Sequence, residues 1–542
     1  MKKRPHIIIF NPDEMRADTM GHMGNPAAST PFLDQFAARE AVSFRNAVCQ
    51  NPVCVPSRCS FFTGLYPHVN GHRTMAHLLR PHESSLFSEL KDSGYYVWMN
   101  ARNDLVAAQY EGLMARHATE IFYGGDAPKA PGLENPGIRG AMDGKYFYSH
   151  YEGRLRLDEA GRNYSRDDEV VDAAIERLTH PVDDRPMCIF LGLMYPHTPY
   201  AVEEPYYSRI DRSQLPKRIK PEECDGKPKM EQRLRDLQHM QDYTEAEWDE
   251  LRAVYLGMCS KIDDQFRRLC DALKQAGIYD DCAIFFLSDH GDFAGDYGLP
   301  EKAQNCFEDC LVKVPFLVKP PKGEPIDPGI SDSLVELVDF YATAMEYAGV
   351  TPDHTHFGRS LKPVLGNKAQ EIRDYVFCEG GRMPGETHCD ESHINGPNGS
   401  PPTFVYWPRQ TAQREDDTHC KGTMIMDHRY KYISRVAGND EFYDLQKDPG
   451  ERHNAFEDPA YAPVILKMQR EQLRWYQATC DIVPLDFDAR FNKEMLWAMM
   501  KSNAQNDAER SVIRESIDAG LPMAHVYGAL AKFRAENEKN EG

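Results

Sequence analysis

Long apolar runs are missing from this chain of 542 residues. The longest, Ile7–Phe10, Cys188–Tyr195 and Ala283–Leu287, fall far short of the about 18 residues that a membrane-spanning helix needs. Positive charge is in deficit. The 63 Lys and Arg against 84 Asp and Glu leave a formal charge of −21, which argues against broad binding to nucleic acid or to an anionic membrane, since both need a basic surface. A leader pattern is lacking as well. Met1-Lys2-Lys3-Arg4-Pro5-His6 has the charge of one, but the apolar run behind it, Ile7–Phe10, is too short for a leader core and is expected to be the first core strand. Nor is there a disulfide pattern: 14 cysteines spread over so long a chain read as reduced thiols of a cytoplasmic protein. What is present, 41% hydrophobic and 11% aromatic residues, suffices for a sizeable core and excludes wholesale disorder.

Short β-rich runs alternate with amphipathic stretches, which predicts an α/β fold: a large, mainly parallel or mixed sheet sandwiched by helices. Expected strands are Ile7–Phe10, Tyr95–Asn100, Met187–Met194, Ala283–Leu287 and Pro315–Val318. Expected helices are Pro31–Arg39, Ser85–Lys91, Asp167–Leu178, Glu245–Gly277 and Leu334–Ala348. Past Gly366 the runs Tyr375–Cys378, Thr423–Met426 and Tyr430–Ser434 suggest a smaller α+β domain with an antiparallel sheet and a helix over Pro463–Ala478. These shifts divide the chain into a catalytic domain over 1–366, a small domain over 367–485 and a helical extension over 486–542. The extension carries Phe491, Met495, Met499 and Met500 but few aliphatics, so it is expected to pack on the body or on another subunit, as in a homo-oligomer. Three Gly/Pro-rich stretches, Gly124–Gly144, Glu203–Pro228 and Gly380–Pro408, have the length of functional loops.

Chemistry-bearing residues follow the expected strands: Asp13 and Glu14, Arg102 and Asp104, His197, and Asp289-His290. Ligands of open parallel sheets bind outside the carboxyl ends of the strands, so these segments are expected on one rim. Taken singly, Asp13-Glu14 reads as a helix cap before Met15. Together with Asp289 and His290 at a second strand end, it reads as a site for a hard divalent cation. Cys54-Val55-Pro56-Ser57-Arg58 would place Cys54 just before a helix N-terminus, where a thiolate or oxyanion is stabilised, although a lone cysteine is more often a small buried hydrophobe. His68, His72, His77 and His82 lack zinc spacing and read as structural. Phe404, Tyr406 and Trp407 read either as loop packing or as a stacking surface for a ring-bearing substrate.

Cys-x-Pro-Ser-Arg followed by Thr63-Gly64 resembles the signature of type I, formylglycine-dependent sulfatases of the alkaline-phosphatase superfamily. The resemblance runs from about Pro5 to Asn454. Asp13 through Gly24 resembles the opening metal loop, Pro196-His197-Thr198-Pro199-Tyr200 the His-x-Pro element, and Ser288 through Asp292 with Gly295 through Leu299 the second metal loop. Gly358-Arg359-Ser360-Leu361 and Tyr443-Asp444-Leu445 through Glu451 resemble later landmarks.

This resemblance implies an alkaline-phosphatase-like fold and hydrolysis of a small organic sulfate ester, whether aryl, steroid or sugar. Cys54, oxidised to 3-oxoalanine (formylglycine) by a maturation enzyme, would act as a hydrated aldehyde beside one divalent cation. That cation would be Ca²⁺, or Mn²⁺ or Mg²⁺, held by Asp13, Glu14, Cys54, Asp289 and His290. Arg58, Arg102 and Lys302 would bind the sulfonyl oxygens, and His197 would serve the leaving oxygen. Two departures stand out. Arg102 and Asp104 occupy positions where many relatives read lysine and histidine, making Asp104 the candidate base for aldehyde regeneration; and Met75 stands where an asparagine contact is common. A phosphonate monoester or phosphodiester hydrolase with the same nucleophile is the nearest alternative. A non-catalytic binder is disfavoured by retention of Cys54, Arg58, Asp289, His290 and Lys302.

Overall fold

The computed structural model describes residues 4–126, 129–394, 396, 399–486 and 488–541. The basic opening Met1-Lys2-Lys3 thus lies outside the described residues. Ten strands precede residue 340: β1 (His6–Asp13), β2 (Val42–Val48), β3 (Tyr96–Asn100), β4 (Glu120–Phe122), β5 (Tyr151–Arg154), β6 (Met187–Pro196), β7 (Tyr200–Val202), β8 (Cys282–Leu287), β9 (Phe316–Lys319) and β10 (Gly329–Glu336). Eight of them form one sheet in the order β10-β2-β9-β8-β1-β6-β3-β4, and β5 pairs with β7. Within the large sheet β9 runs antiparallel to both neighbours, and the other pairs are parallel.

The central strands are apolar on both faces because helices cover both. Along β1, Ile7 and Ile9 enter one core and Ile8 and Phe10 the other; β8 repeats this with Phe285 and Phe286. The helix Glu245–Gln275 starts at a Thr244–Glu247 capping box and buries the expected stripe from Leu251 to Leu273 against the second core, where Phe266 meets Phe10 and Phe286 edge-on. A smaller antiparallel sheet follows: β11 (Val376–Gly380), β12 (Gly422–Met426), β13 (Tyr430–Arg435) and β14 (Glu441–Asp444), covered by the helix Ala462–Thr479.

One expectation changes. Leu334–Ala348 is not one helix: residues through Glu336 finish β10, and the helix is Val338–Ala348. The Asp339 carboxylate accepts the Glu336 N–H at the break, and Leu334-Val335 satisfies a buried strand as well as a helix. The chain also divides into compact units Met1–Ile482 and Val483–Gly542, and the second has a core of its own. Leu496, Met500, Ile513, Ile517, Val526 and Leu530 form it, while Met495 and Met499 are exposed. Among the described residues, no helix is long and apolar enough to cross a membrane.

His354 ties the loop after Val338–Ala348 to the carbonyl end of the helix Cys54–Thr63. Its Nε2–H donates to the Thr63 carbonyl at 2.8 Å, while Nδ1 lies 2.9 Å from Asp353 and 3.2 Å from Glu89. Burial opposes the imidazolium, but the bonds to Glu89 and Asp353 outweigh it and lift the group to about 9. A raised cationic group stabilises the fold fully below its unfolded value and loses that contribution as pH rises through the folded one. We therefore expect wild type to lose stability between pH 6.5 and 9.5, by about 3 kcal/mol at most. His354→Gln should flatten that limb in urea titrations; an unchanged slope would refute the assignment.

Candidate active site

Four adjacent parallel strands, β8, β1, β6 and β3, end on one edge of the sheet. Asp13 closes β1, Arg102 and Asp104 follow β3, His197 follows β6, and Asp289-His290 follows β8. The convergence expected from the sequence is therefore present. The helix Cys54–Thr63, every residue of it buried, runs from this edge and ends at Gly64, whose φ of 70° suits a residue without Cβ. Cys54 is its first residue rather than lying before it, and Arg58, one turn on, shares its face.

The site is a buried charge cluster. Arg58 Nε donates to Asp289 Oδ2 at 2.7 Å and Nη2 to Asp13 Oδ2 at 2.9 Å, with all three side chains fully buried. Arg102 bonds the same Asp13 oxygen and donates through Nη1 to the Leu193 carbonyl at 2.7 Å. Burial works against ionisation of Asp13, but Arg102 and Arg58 outweigh it and hold the carboxyl well below its ordinary range. Asp104, with a left-handed φ of 50°, turns Oδ2 to 3.5 Å from Arg58 and 3.6 Å from Arg102.

Cys54 Sγ lies 3.1 Å from His290 Nε2 and 3.4 Å from Asp13 Oδ1. Burial and then the Asp13 charge push its thiol far above the ordinary value, against the thiolate expected at the helix start. His290 Nδ1–H donates to the Gly291 carbonyl at 2.8 Å, which leaves the Nε2 lone pair facing the cluster. Asp13, Cys54, Asp289 and His290 present ligand atoms all within 4.8 Å of one another. Carboxylate oxygens with one preoriented imidazole suit a hard divalent cation.

Glu14 takes the other side of the site with His197. Its carboxylate accepts from Lys302 Nζ at 2.9 Å, and Lys302 Nζ also lies 2.9 Å from His197 Nε2. Burial opposes the Lys302 ammonium, but Glu14, Cys54 and Glu301 outweigh it and keep it protonated. His197 Nδ1–H donates to the Thr198 carbonyl at 2.7 Å; burial and then Lys302 push the imidazole down to about 3. His197 thus presents a lone pair at Nε2, and Lys302 is the charged donor of the pair. Neither Asp13 nor Glu14 caps a helix: the first turn behind them, Ala17–Thr19, has no side-chain cap.

The secondary candidates have partners of their own, and the Tyr406 ring lies beside His150 and Arg409 on the Lys302 side of the site. Met75 packs against the core. His68 bonds Glu379 at 2.7 Å and His72 bonds Glu83 at 2.7 Å, both structural pairings. Phe404 packs edge-on to Tyr406, and Trp407 stacks on Tyr148. Several supporting residues escaped the sequence reading. Ser57 Oγ donates to the Asp289 carbonyl at 2.6 Å, and Tyr200 Oη donates to Asp292 Oδ2 at 2.6 Å, while burial lifts that carboxyl to about 7. Glu301 and Arg409 flank Lys302. Ser57 and Asp292 lie inside the quoted motifs; Arg409 carried no signal, because its pairing spans the chain.

A family profile described as Sulfatase matches residues 5–350. The multifunctional alkaline phosphatase superfamily protein PehA of Trinickia caryophylli is 27% identical over 88% of this chain and 96% of its own length. A choline-sulfatase of Rhizobium meliloti is 25% identical over 84% of this chain and 83% of its own. The crystal structure of a phosphonate monoester hydrolase of Agrobacterium radiobacter superposes with a TM-score of 0.67 at 22% identity, covering 89% of this chain and 97% of that one.

Asp289→Asn should lower bound divalent metal by about tenfold at a fixed free concentration, as loss of a charged ligand does. Elemental analysis of desalted protein checks this, and an undiminished metal content would remove Asp289 from the ligand set.

Proposed function

The chain belongs to the sulfatase family, and from that premise we propose that it hydrolyses a small organic sulfate ester (aryl, steroid or sugar) with matured Cys54 as the nucleophile-bearing residue. One observation carries the reading: Cys54 stands in a single group with Asp13, Asp289 and His290, under two guanidinium groups. The donor set fits a divalent cation held by Asp13, Asp289 and His290, with Glu14 and Cys54 beside them; Ca²⁺ is favoured over Mn²⁺ or Mg²⁺. When bound, such a cation lowers the pKa of a hydroxyl beside it, which the geminal diol of formylglycine supplies.

Arg58 and Arg102 now spend their donors on Asp13 and Asp289. With those carboxylates engaged by a bound cation, Arg58 and Arg102 would turn donors towards the anionic sulfonyl group and offset developing charge there. Lys302 and His197 serve the departing ester oxygen. Asp104 is the candidate base, facing Arg58 and Arg102. Each of the 14 cysteines is a free thiol, which supports a cytoplasmic protein. Exposed Met495 and Met499 on the Val483–Gly542 unit support a homo-oligomer. The maturation enzyme is the second partner.

A phosphonate monoester hydrolase activity is the alternative, favoured by the superposition covering nearly the whole of that enzyme. Purified protein, co-expressed with a maturation enzyme, should turn over 4-nitrophenyl sulfate faster than the corresponding aryl phosphonate; the reverse order selects the alternative. Cys54→Ala should lower kcat/KM by about 10³-fold or more while leaving the unfolding midpoint in place. Active wild type whose intact mass corresponds to an ordinary thiol would overturn the proposed chemistry.

A further inference from the structure

The family match ends at residue 350, yet Lys302 is held by a line of charges that begins well beyond it. Glu301 Oε1 lies 3.3 Å from Lys302 Nζ and accepts a hydrogen bond from Arg409 Nη1. Arg409 Nη2 donates to Glu391 Oε2 at 2.9 Å, and the other Glu391 oxygen accepts from Gln413 Nε2 at 2.8 Å. Lys302, Glu301, Arg409 and Glu391 are all buried. Arg409 comes from the helix Trp407–Ala412, between β11 and β12, with its guanidinium 4.8 Å over the Tyr406 ring.

Signs alternate along this line: Lys302 positive, Glu301 negative, Arg409 positive, Glu391 negative. Lys302 has two carboxylates within reach, Glu14 at 2.9 Å and Glu301 at 3.3 Å. Arg409 takes up much of the Glu301 charge, so the ammonium sits closer to Glu14, beside His197. Without that guanidinium, the buried Glu301 would be left with Lys302 at 3.3 Å and His150 Nε2 at 3.8 Å and would become the stronger attractor, drawing Lys302 away from His197. We propose that Arg409 is a positioning residue for leaving-group departure: acting through Glu301, it fixes the Lys302 ammonium at His197 Nε2. The step it serves is simple in its balance. As the hydroxyl oxygen on matured Cys54 bonds to sulfur, the S–O bond to the leaving group breaks, its electron pair goes to the ester oxygen, and that oxygen takes one proton from the Lys302–His197 pair.

The proposal rests on the sulfatase reading only for which ester is cleaved. Arg409→Lys retains the charge but cannot span Glu301 and Glu391 with two arms. Weakly acidic phenols need proton donation and 4-nitrophenol does not, so kcat/KM for 4-methoxyphenyl sulfate should fall by about tenfold or more, and for 4-nitrophenyl sulfate by less than about threefold. Glu391→Gln, which leaves the Arg409–Glu301 contact intact, should keep the wild-type dependence on leaving group. Equal losses on both esters, or none, overturn the proposal. Should the wild type prefer aryl phosphonates, the same two leaving groups on phosphonate carry the test, so failure of the sulfate assignment is read separately. If circular dichroism shows Arg409→Lys unfolded, Glu301→Gln carries the test: it removes the competing anion and should keep the wild-type dependence on leaving group, and a steepened dependence overturns the proposal. A crystal structure of Arg409→Lys with Lys302 Nζ still in contact with His197 overturns it whatever the substrate.

Discussion

Asp13 sits fully buried at the end of a central strand, with its carboxyl held in the ionised form, and the site is organised around compensating that charge. An isolated carboxylate taken out of water costs several kcal/mol, and removing one partner of a buried pair typically costs about 3–5 kcal/mol. Arg58 answers Asp13 and Asp289 at once, from a different element than either. It thereby fixes the register of the helix Cys54–Thr63 against two strand ends. Cys54, one turn earlier on the same face, inherits its place beside His290. Electrostatic repair and placement of Cys54 are one requirement.

The β8 side is set by close backbone packing. A Cβ on Gly291 would lie 1.9 Å from the Cys310 carbonyl oxygen, and the Gly291 N–H donates to the Leu311 carbonyl at 2.7 Å. Any larger residue there would push the Asp289-His290 turn away from the helix. Because the Gly291 carbonyl also receives the His290 Nδ1–H, the same contact selects the tautomer that leaves Nε2 open. Geometry of the donor set is thus settled by backbone as much as by side chains.

Much of this was legible in the sequence because the site lies at strand ends, and strong apolar runs such as Ile7–Phe10 and Ala283–Leu287 announce where strands end. Those runs alone put Asp13, Asp289, His290 and His197 on one rim. Other features obey rules that local pattern cannot show. Strand β2 was missed because Arg45 and Asn46 break its apolar run where that strand meets solvent. The Leu334 region fits either periodicity until the Asp339 bond decides it. Arg409 and Glu391 derive their meaning from partners far away in the chain, and nothing in their neighbours marks them.

The complete burial of Cys54–Thr63 also bears on the order of events in synthesis. Cys54 is 2% exposed and Arg58 fully enclosed, so a second protein reading this stretch has nothing to grip once the two cores have closed. On the function proposed above, oxidation at Cys54 would therefore compete with folding itself. The window lies between emergence of the segment from the ribosome and arrival of β8, more than two hundred residues later, whose Asp289 clamps Arg58. Slowing translation beyond this segment would lengthen that window, and overproduction that saturates the proposed oxidising catalyst would yield chains that fold correctly and stay unmodified.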